Sequence, residues 1–538
     1  MNGKTMGLWT AAILAMLVGW VGAVTIEVDD RGGVTVHDPG GRVTLVRDTA
    51  SADPSGHTAQ PETRAARIDV EPAVGADAGF TAWPLHPAAR RIHVANAGDD
   101  RHNGLTPQTP VRTLRRGLGL LRNGFGDQLL LRAGDTFQGG LGDWRWSGRD
   151  AQHPAVLGVY GDGDRPRIVT HGEGFLIVSH RRRVDYVAFQ GLHVFPARRM
   201  SWHPAFDPDD LPYREAGVWW MGRGRHITLE DCKIQGYQNN LVFQNNEIGG
   251  IADLTIRRCI VADSYTHRDG KIGGHSTGLF TMGVDGVRVE ESVFDHNGWA
   301  PAEVGIAGAS RTMFNHNLYL EQTSRNLTVS NNVITRGASF GLQLRPGGEA
   351  TGNLFARNAL GMYFAWHPSR VVGNVVAESV DHGDRPDERR GYGIIAWPCE
   401  DGLVAENLIL HKRGNAGWAG AIEVADFHGW KADVAEPRLT IRDNTIVDWP
   451  VPGEPDAIVV RHGDTEVRAS GNVLDAASGG AAEPAFVRPG FTLDDAAGGS
   501  FEAWLERARS RPRGTWPGEL TAAAINAELL DAYRATAD

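Results

Sequence analysis

A short sequence tag recurs beyond Gly191 and restricts the folds that the chain can adopt. The tag occurs as EDCKI, RRCIV, EESVF, NNVIT, GNLFA, GNVVA, ENLIL, DNTIV and GNVLD, with its third residue at Cys232, Cys259, Ser292, Val333, Leu354, Val375, Leu408, Thr445 and Val473. Spacings of roughly 20 to 40 residues are typical of solenoids and propellers, in which each repeat packs against its neighbours. The chain is therefore built from stacked units.

A second strand pattern lies between the tags and distinguishes a solenoid from a propeller. It consists of Gly or Asn followed by alternating apolar residues: GVWWM, NLVFQ, GLFTM, NLYLE, GLQLR, GMYFA and GIIAW. A repeat with at least two short strands separated by turns predicts a coil of a parallel β-helix and not a four-stranded propeller blade. The 68 glycines among 538 residues are consistent with many tight turns. We expect an all-β solenoid.

Asparagine occupies equivalent places in six of these tags, at Asn332, Asn353, Asn374, Asn407, Asn444 and Asn472. Asn tolerates left-handed turns, and identical amides stacked on successive coils can hydrogen-bond to one another. The tags therefore predict an asparagine ladder.

The sequence divides into five segments. Residues 1–23 carry Lys4, an apolar run and a small-residue end, Val21-Gly22-Ala23, which predict a cleaved signal peptide or, alternatively, an uncleaved anchor. Residues 24–90 contain short strands and a linker. Residues 91–170 form a cap, with a helix near Val111 to Leu121, and the first coils; residues 171–498 form the β-helix.

Residues 499–538 predict two helices, because FEAWLERARS and ELTAAAINAELLDAYRA have apolar residues at helical spacing. We expect these helices to cover the last coil, since an exposed strand edge invites self-association.

The N-terminal cap carries a resemblance to a known group of proteins. The segment IHVANAGDDRHNGLTPQTPVRTL is similar to the opening of secreted, carbohydrate-active members of the pectate-lyase-like superfamily of right-handed parallel β-helix proteins, and the likeness covers roughly residues 91–475. The coil VITRGASFGLQLRPGG loosely resembles the arginine-bearing coil of the chondroitinase B and alginate lyase family. That likeness implies uronic-acid polymers as substrates, although NLYLEQTSRN lacks the lysine that this family carries one coil earlier.

The expected partner is an acidic polysaccharide. The protein is expected to be a secreted or periplasmic monomer. A formal net charge of -11 argues against nucleic acid, whose binding normally needs a basic surface. No membrane contact is expected after the leader is cleaved. Three cysteines are too few for a disulfide scaffold and match no metal spacing.

Strand alternation predicts which side chains face outward. In NLYLE, Leu318 and Leu320 face the core while Tyr319 and Glu321 face out, and in GLQLR the outward residues are Gln343 and Arg345. Stacking then places Tyr319 beside Gln343 and Glu321 beside Arg345. The predicted substrate-binding residues are Glu321, Gln343, Tyr363, Trp397 and His275, since aromatic faces and amides suit sugars.

The predicted catalytic residues are His316, Tyr319 and Arg345. Elimination on a uronate needs a base near the C5 hydrogen, an acid for the leaving oxygen and a group that neutralises the carboxylate. His316 and Tyr319 can supply the base and the acid, and Arg345 the neutralising charge. Alternatively, Glu321 and Arg345 form a surface ion pair and His316 caps a turn.

Several functions remain open at the level of sequence. The protein is predicted to be a polysaccharide lyase, with a non-catalytic glycan-binding or structural β-helix, an epimerase or a glycoside hydrolase as alternatives. No metal ligands are assigned. Calcium is a possible cofactor, because Asp381, Asp384 and Asp387 lie in one acidic loop.

Overall fold

The computed structural model describes residues 79–538 except 212–214, 267–274, 301–303, 305–310, 381–389, 414–418, 426–433, 462, 482–483 and 535–538. It also gives the backbone of three strands nearer the start, Thr25–Val28, Val34–Asp38 and Gly41–Leu45, which form a separate antiparallel sheet. The predicted leader at 1–23 lies outside the described residues.

Each coil of the main body contributes strands to three parallel sheets. In one coil, Ala216–Trp220 is followed by Gly224–Glu230 and Lys233–Gln235, and the next coil begins with Asn239–Gln244. Equivalent strands of successive coils pair in parallel and in register. The parallel β-helix predicted from the repeats is confirmed. The middle strand of each coil was not marked by either sequence pattern.

The sheets are named here in the order in which a coil visits them. Within the described residues, sheet 1 consists of Gly142–Asp143, Leu176–Val178, Ala216–Trp220, Asn239–Gln244, Thr277–Met282, His316–Leu320, Phe340–Leu344, Leu360–Trp366, Tyr392–Cys399, Ile422–Val424 and Ile458–Val460. Sheet 2 consists of Arg91–Val94, Gln128–Arg132, Ala155–Tyr160, Val187–Gln190, Gly224–Glu230, Ile251–Arg257, Val284–Glu290, Arg325–Ser330, Gly348–Thr351, Ser369–Val372, Gly402–Ala405, Arg438–Arg442 and Glu466–Ser470. Sheet 3 consists of Thr136–Gln138, Arg167–Thr170, His193–Pro196, Lys233–Gln235, Ile260–Ala262, Val293–Asp295, Val333–Thr335, Leu354–Ala356, Val375–Ala377, Leu408–Leu410, Thr445–Val447 and Val473–Leu474.

The interior of the coils is one continuous hydrophobic core that extends from Ile92 to Val459. Alternate residues of each strand point into it, so that Leu318, Leu342 and Met362 stack on successive coils of sheet 1 and are fully buried. Their strand neighbours point away from the core and form the outer face.

The asparagine ladder is present at the turn between sheets 2 and 3. The Nδ2 of each asparagine donates to the Oδ1 of the next, at 3.0, 2.9, 3.0, 2.9 and 2.9 Å from Asn332 to Asn472. The left-handed position belongs to the preceding residue, for example Asn331 and Gly352, with φ of 55° and 62°. The ladder asparagines therefore serve as bonding groups and not as turn formers.

A second ladder lies at the turn between sheets 3 and 1. It joins Asn240, Asn297, Asn317 and Asn358 through side-chain amides at 3.0, 2.9 and 3.2 Å. All four residues are buried, so each amide finds inside the protein the partners that water would otherwise supply.

The predicted N-terminal cap helix is Leu114–Leu120. Thr113 caps it by accepting a hydrogen bond from the Arg116 backbone N–H at 3.1 Å. A Cβ atom at Gly117 would lie 2.7 Å from a methyl group of Val94 and 2.8 Å from one of Leu129, so a larger residue would displace these side chains. The helix thus closes the N-terminal end of the core.

The C-terminal segment contains the helices Leu493–Ala496, Phe501–Arg509 and Ala522–Ala532, and short 3-10 helices occur at Ala197–Arg199, Ala476–Ser478 and Gly518–Leu520. The expectation that the C-terminal helices cover the last coil is wrong. They pack against the outer face of sheet 3 over many coils, together with Ile260, Val293, Val333, Leu354, Val375, Leu408 and Val447. These outward residues form an apolar stripe on the sheet, and the helices remove the stripe from water.

Ion pairs fix the C-terminal segment along the same face. Asp295 forms ion pairs with Arg509 and with Arg336, both at 2.5 Å. Glu502 forms ion pairs with Arg336 at 2.8 Å and with Arg357 at 2.7 Å. Asp295 is fully buried, and the two arginines beside it offset its desolvation, which leaves the pKa of this carboxyl lowered to about 2.

Candidate active site

A row of side chains in register forms the outer face of sheet 1. Phe280, Tyr319, Gln343, Tyr363 and Ile395 stand opposite one another on successive strands. The predicted neighbour relation between Tyr319 and Gln343 follows directly from this register. Stacked parallel strands lie about 4.8 Å apart. Phe280, Gln343, Tyr363 and Ile395 are buried, and Tyr319 is half-buried.

The three residues predicted to be catalytic lie together on this face. His316 and Tyr319 are on the same strand, with ring centroids 5.4 Å apart in an edge-to-face arrangement. Arg345 lies on the next coil and donates a hydrogen bond from its guanidinium to the Tyr319 hydroxyl. Its guanidinium carbon lies 5.6 Å from the centre of the Tyr319 ring. The group combines an imidazole, a phenol and a cation.

Gln343 joins the group through His316. Its side-chain nitrogen lies 3.1 Å from His316 Nε2. Both residues are buried, with 2% of His316 and 8% of Gln343 exposed. Tyr319 and Arg345 are half-buried and form the part of the group that faces solvent.

Burial sets the protonation states of these groups. It lowers the pKa of His316 well below 6.5, and the nearby charges of His275, Arg345 and Arg390 act in the same direction. It raises the pKa of Tyr319 above 10, against the opposing effect of Arg345. Burial also disfavours the charge of Arg345, but Tyr363, Tyr319 and Glu321 outweigh it and raise its pKa. At neutral pH the imidazole is neutral, the phenol protonated and the guanidinium charged.

The other predicted binding residues are placed less simply. Glu321 is buried, and its carboxylate accepts hydrogen bonds from Thr323 N at 2.8 Å and Thr323 Oγ1 at 2.6 Å. Its charge contributes to the raised pKa of Arg345. His275 lies near the start of the neighbouring strand, with Nδ1 3.3 Å from the Phe314 carbonyl oxygen.

Tyr363 and Trp397 belong to a buried aromatic cluster. The Tyr363 ring lies 4.9 Å from both Phe340 and Trp397, and only 2% of Tyr363 and 8% of Trp397 are exposed. These buried rings pack against one another and stabilise the outer face of sheet 1.

Trp366 also lies beside the candidate site, although the sequence analysis did not predict it there. It is half-buried, 5.9 Å from the Arg345 guanidinium and 6.3 Å from the Trp397 ring. Simple alternation would send it into the core, but the strand pairing shifts between Phe364 and Trp366, and Trp366 has a φ of 62°. A bulge of this kind re-aims a side chain. No local sequence signal marks it.

The described residues offer no group of three or more His, Cys, Asp and Glu side chains suited to hold a metal ion. The calcium candidates Asp381, Asp384 and Asp387 lie outside the described part of the chain. No helix within the described ranges has the length and hydropathy needed to cross a bilayer.

Comparison with known proteins identifies the class of fold. Residues 214–376 match the family model described as "Right handed beta helix region". The fold is that of a right-handed parallel β-helix.

Three solved structures illustrate the likeness. A lacto-N-biosidase from Eubacterium ramulus is 15% identical, with a TM-score of 0.43 and coverage of 72% of this chain and 68% of its own. A pectate lyase is 15% identical, with a TM-score of 0.41 and coverages of 76% and 84%. The A-module of a mannuronan C-5 epimerase from Azotobacter vinelandii is 15% identical, with a TM-score of 0.41 and coverages of 64% and 86%. No curated protein matches the sequence.

Proposed function

We propose that the protein is an extracytoplasmic lyase that cleaves a uronic-acid-containing polysaccharide by β-elimination on the outer face of sheet 1. The observation that carries the proposal is the hydrogen bond from Arg345 to Tyr319, with His316 beside Tyr319. This contact brings together the three kinds of group that the reaction requires.

The protonation states give each residue a role. Neutral His316 takes the C5 proton, and the electrons of the C–H bond form the C4–C5 double bond as the C4–O bond breaks. Protonated Tyr319 gives its proton to the leaving oxygen. Arg345 pairs with the substrate carboxylate, whose charge grows as C5 loses its proton. Transfer of a proton from the imidazolium to the tyrosinate restores the enzyme.

Trp366 and Arg345 supply the binding contacts in this proposal. A half-buried indole offers a flat apolar face to a sugar ring, and the guanidinium 5.9 Å away offers a fork for a carboxylate. Uronic acids have both features, a pyranose face and a carboxylate. The proposed partner is thus an acidic polysaccharide, bound by a monomer.

Glycan binding without turnover is the second candidate. It is favoured by the burial of His316, of which 2% is exposed, because a proton acceptor must meet its substrate. In that case Trp366, Tyr319 and Arg345 bind the sugar chain and no bond is broken.

The deciding experiment incubates the protein with alginate, pectate and glycosaminoglycans and follows the ultraviolet absorbance of unsaturated uronate. A lyase produces this absorbance, and His316→Ala, Tyr319→Phe and Arg345→Ala lose it. Exchange of the C5 hydrogen with heavy water without cleavage would instead indicate an epimerase. Binding to one polymer with neither signal would establish the non-catalytic function.

A further inference from the structure

The contact between Gln343 and His316 leaves one imidazole nitrogen without a partner. Gln343 lies 3.1 Å from His316 Nε2, whereas Nδ1 is buried and has no hydrogen-bond partner among the described residues. The hydrogen of the neutral ring sits on one of these two atoms. Its position decides which nitrogen can accept a proton.

We propose that Gln343 is a positioning residue: its side-chain carbonyl accepts the hydrogen of His316 Nε2 and leaves the lone pair of Nδ1 as the proton acceptor. The amide oxygen and nitrogen exchange places by a half-turn of the amide group, so either can face the ring. This inference rests on the proposed lyase function for its consequence, but the tautomer itself is independent of turnover.

Desolvation favours this arrangement. If the Gln343 nitrogen donated to Nε2, the ring hydrogen would sit on Nδ1 as a buried donor without an acceptor, and such donors are rare because they lose their bond to water. The charged and titratable groups that face the ring are His275, Arg345, Arg390 and Tyr319. The charges of Arg345 and Arg390 disfavour the imidazolium and keep the ring neutral, so it carries a single N–H hydrogen.

The arrangement also decides whether the ring can act as a base. With the Gln343 nitrogen on Nε2, one ring nitrogen is occupied and the other already carries hydrogen, so neither accepts a proton. With the Gln343 oxygen on Nε2, Nδ1 is available. Gln343 thus acts through His316 and need not touch the substrate.

Nitrogen NMR of protein labelled at histidine tests the tautomer directly without substrate. The His316 signals are identified by their loss in His316→Asn. We expect the Nε2–H form, with Nδ1 showing the shift of an unprotonated nitrogen. An Nδ1–H form would overturn the proposal.

Two substitutions and a control complete the test. Gln343→Glu keeps an acceptor on Nε2, so it should keep the tautomer and move the acid limb of the pH profile upward, because a carboxylate favours the imidazolium. Gln343→Leu should lose the tautomer preference and lower kcat about tenfold with little change in KM. Gln244→Leu removes another buried outward amide of sheet 1 and should change neither.

The two proposals fail separately. A Gln343→Leu protein that keeps both the Nε2–H form and full turnover would refute the role of Gln343. Absence of cleavage by the unmodified protein on every uronate polymer would refute the lyase function, while the NMR result would still decide the tautomer.

Discussion

The guanidinium of Arg345 binds the hydroxyl of Tyr319 across the gap between two successive coils. Each side chain therefore holds the other in place. The neighbour relation comes from the parallel register, since Tyr319 stands opposite Gln343 and Arg345 follows two residues later.

Replacing Arg345 with Ala should lower kcat/KM by about 100-fold or more, because the substrate carboxylate loses its neutralising charge. It should also cost about 2 kcal/mol of unfolding free energy, since a hydrogen bond to a charged group is lost. Steady-state kinetics and urea unfolding measure the two effects. Arg325→Ala, an exposed arginine on sheet 2, is the matched control and should change neither. Undiminished cleavage by the Arg345 variant would remove this residue from the mechanism.

The pH dependence of kcat/KM should show a plateau that extends from below pH 6.5 to above pH 10. Activity needs neutral His316 and is lost as pH falls through its lowered pKa. It needs protonated Tyr319 and is lost as pH rises through its raised pKa. An acid limb centred near pH 6.5 would show that His316 titrates normally, contrary to the structure.

The two tryptophans of the outer face should respond differently to removal. Trp366→Ala should raise KM about tenfold and leave kcat and stability nearly unchanged, since its ring is half-buried beside Arg345. Trp397→Ala should cost about 3 to 4 kcal/mol, because a buried ring leaves a cavity. Kinetics and thermal unfolding of both variants distinguish a tryptophan that contacts the sugar from one that stabilises the fold. Equal KM values for wild type and Trp366→Ala would speak against a sugar platform.

Removing an amide from the middle of the first ladder should be costly. Asn374 donates to Asn407 at 3.0 Å and to the Ala350 carbonyl at 2.8 Å, and accepts from Asn353 at 2.9 Å. Asn374→Ala leaves these buried partners unsatisfied and should cost about 3 kcal/mol in urea unfolding. Asn472→Ala, at the partly exposed end of the ladder, should cost about 1 kcal/mol. Equal losses of unfolding free energy in the two variants would show that the contribution of a ladder asparagine does not depend on its burial.

Deleting residues 485–538 should produce an aggregating protein. The deletion uncovers the apolar outer face of sheet 3 and removes Arg509 from buried Asp295. Size-exclusion chromatography with light scattering measures the oligomeric state. The intact chain at the same concentration is the control, and a soluble monomeric truncation would contradict the expectation.

The sequence predicted the features that repeat and missed those that depend on tertiary context. The first ladder was visible because its asparagines occupy one place in a fixed tag. In the second ladder Asn240 and Asn317 begin strands of the second pattern, but Asn297 and Asn358 lie outside both patterns. Apolar spacing predicted the C-terminal helices, but an amphipathic pattern does not predict which surface of the protein the helix packs against. The outer face of sheet 3 proved to be that surface.

The same distinction applies to the candidate site. Tyr319 and Gln343 could be predicted as neighbours, because this relation depends only on the alternation of side chains along each strand and on the stacking of successive coils. The contact of Gln343 with His316 depends on side-chain rotamers, and the placement of Trp366 depends on a local shift of register. Neither follows from a periodic pattern.

The first asparagine ladder also gives the solenoid a direction. In each ladder pair, one side-chain N–H points toward the next coil, and the amide oxygen that accepts it points toward the previous coil. The amide dipoles therefore add along the axis instead of cancelling. A coil can be gained or lost in evolution without disturbing this polarity if it brings one asparagine with it. The solenoid can thus change its length by whole coils while the coils that carry Tyr319 and Arg345 stay as they are.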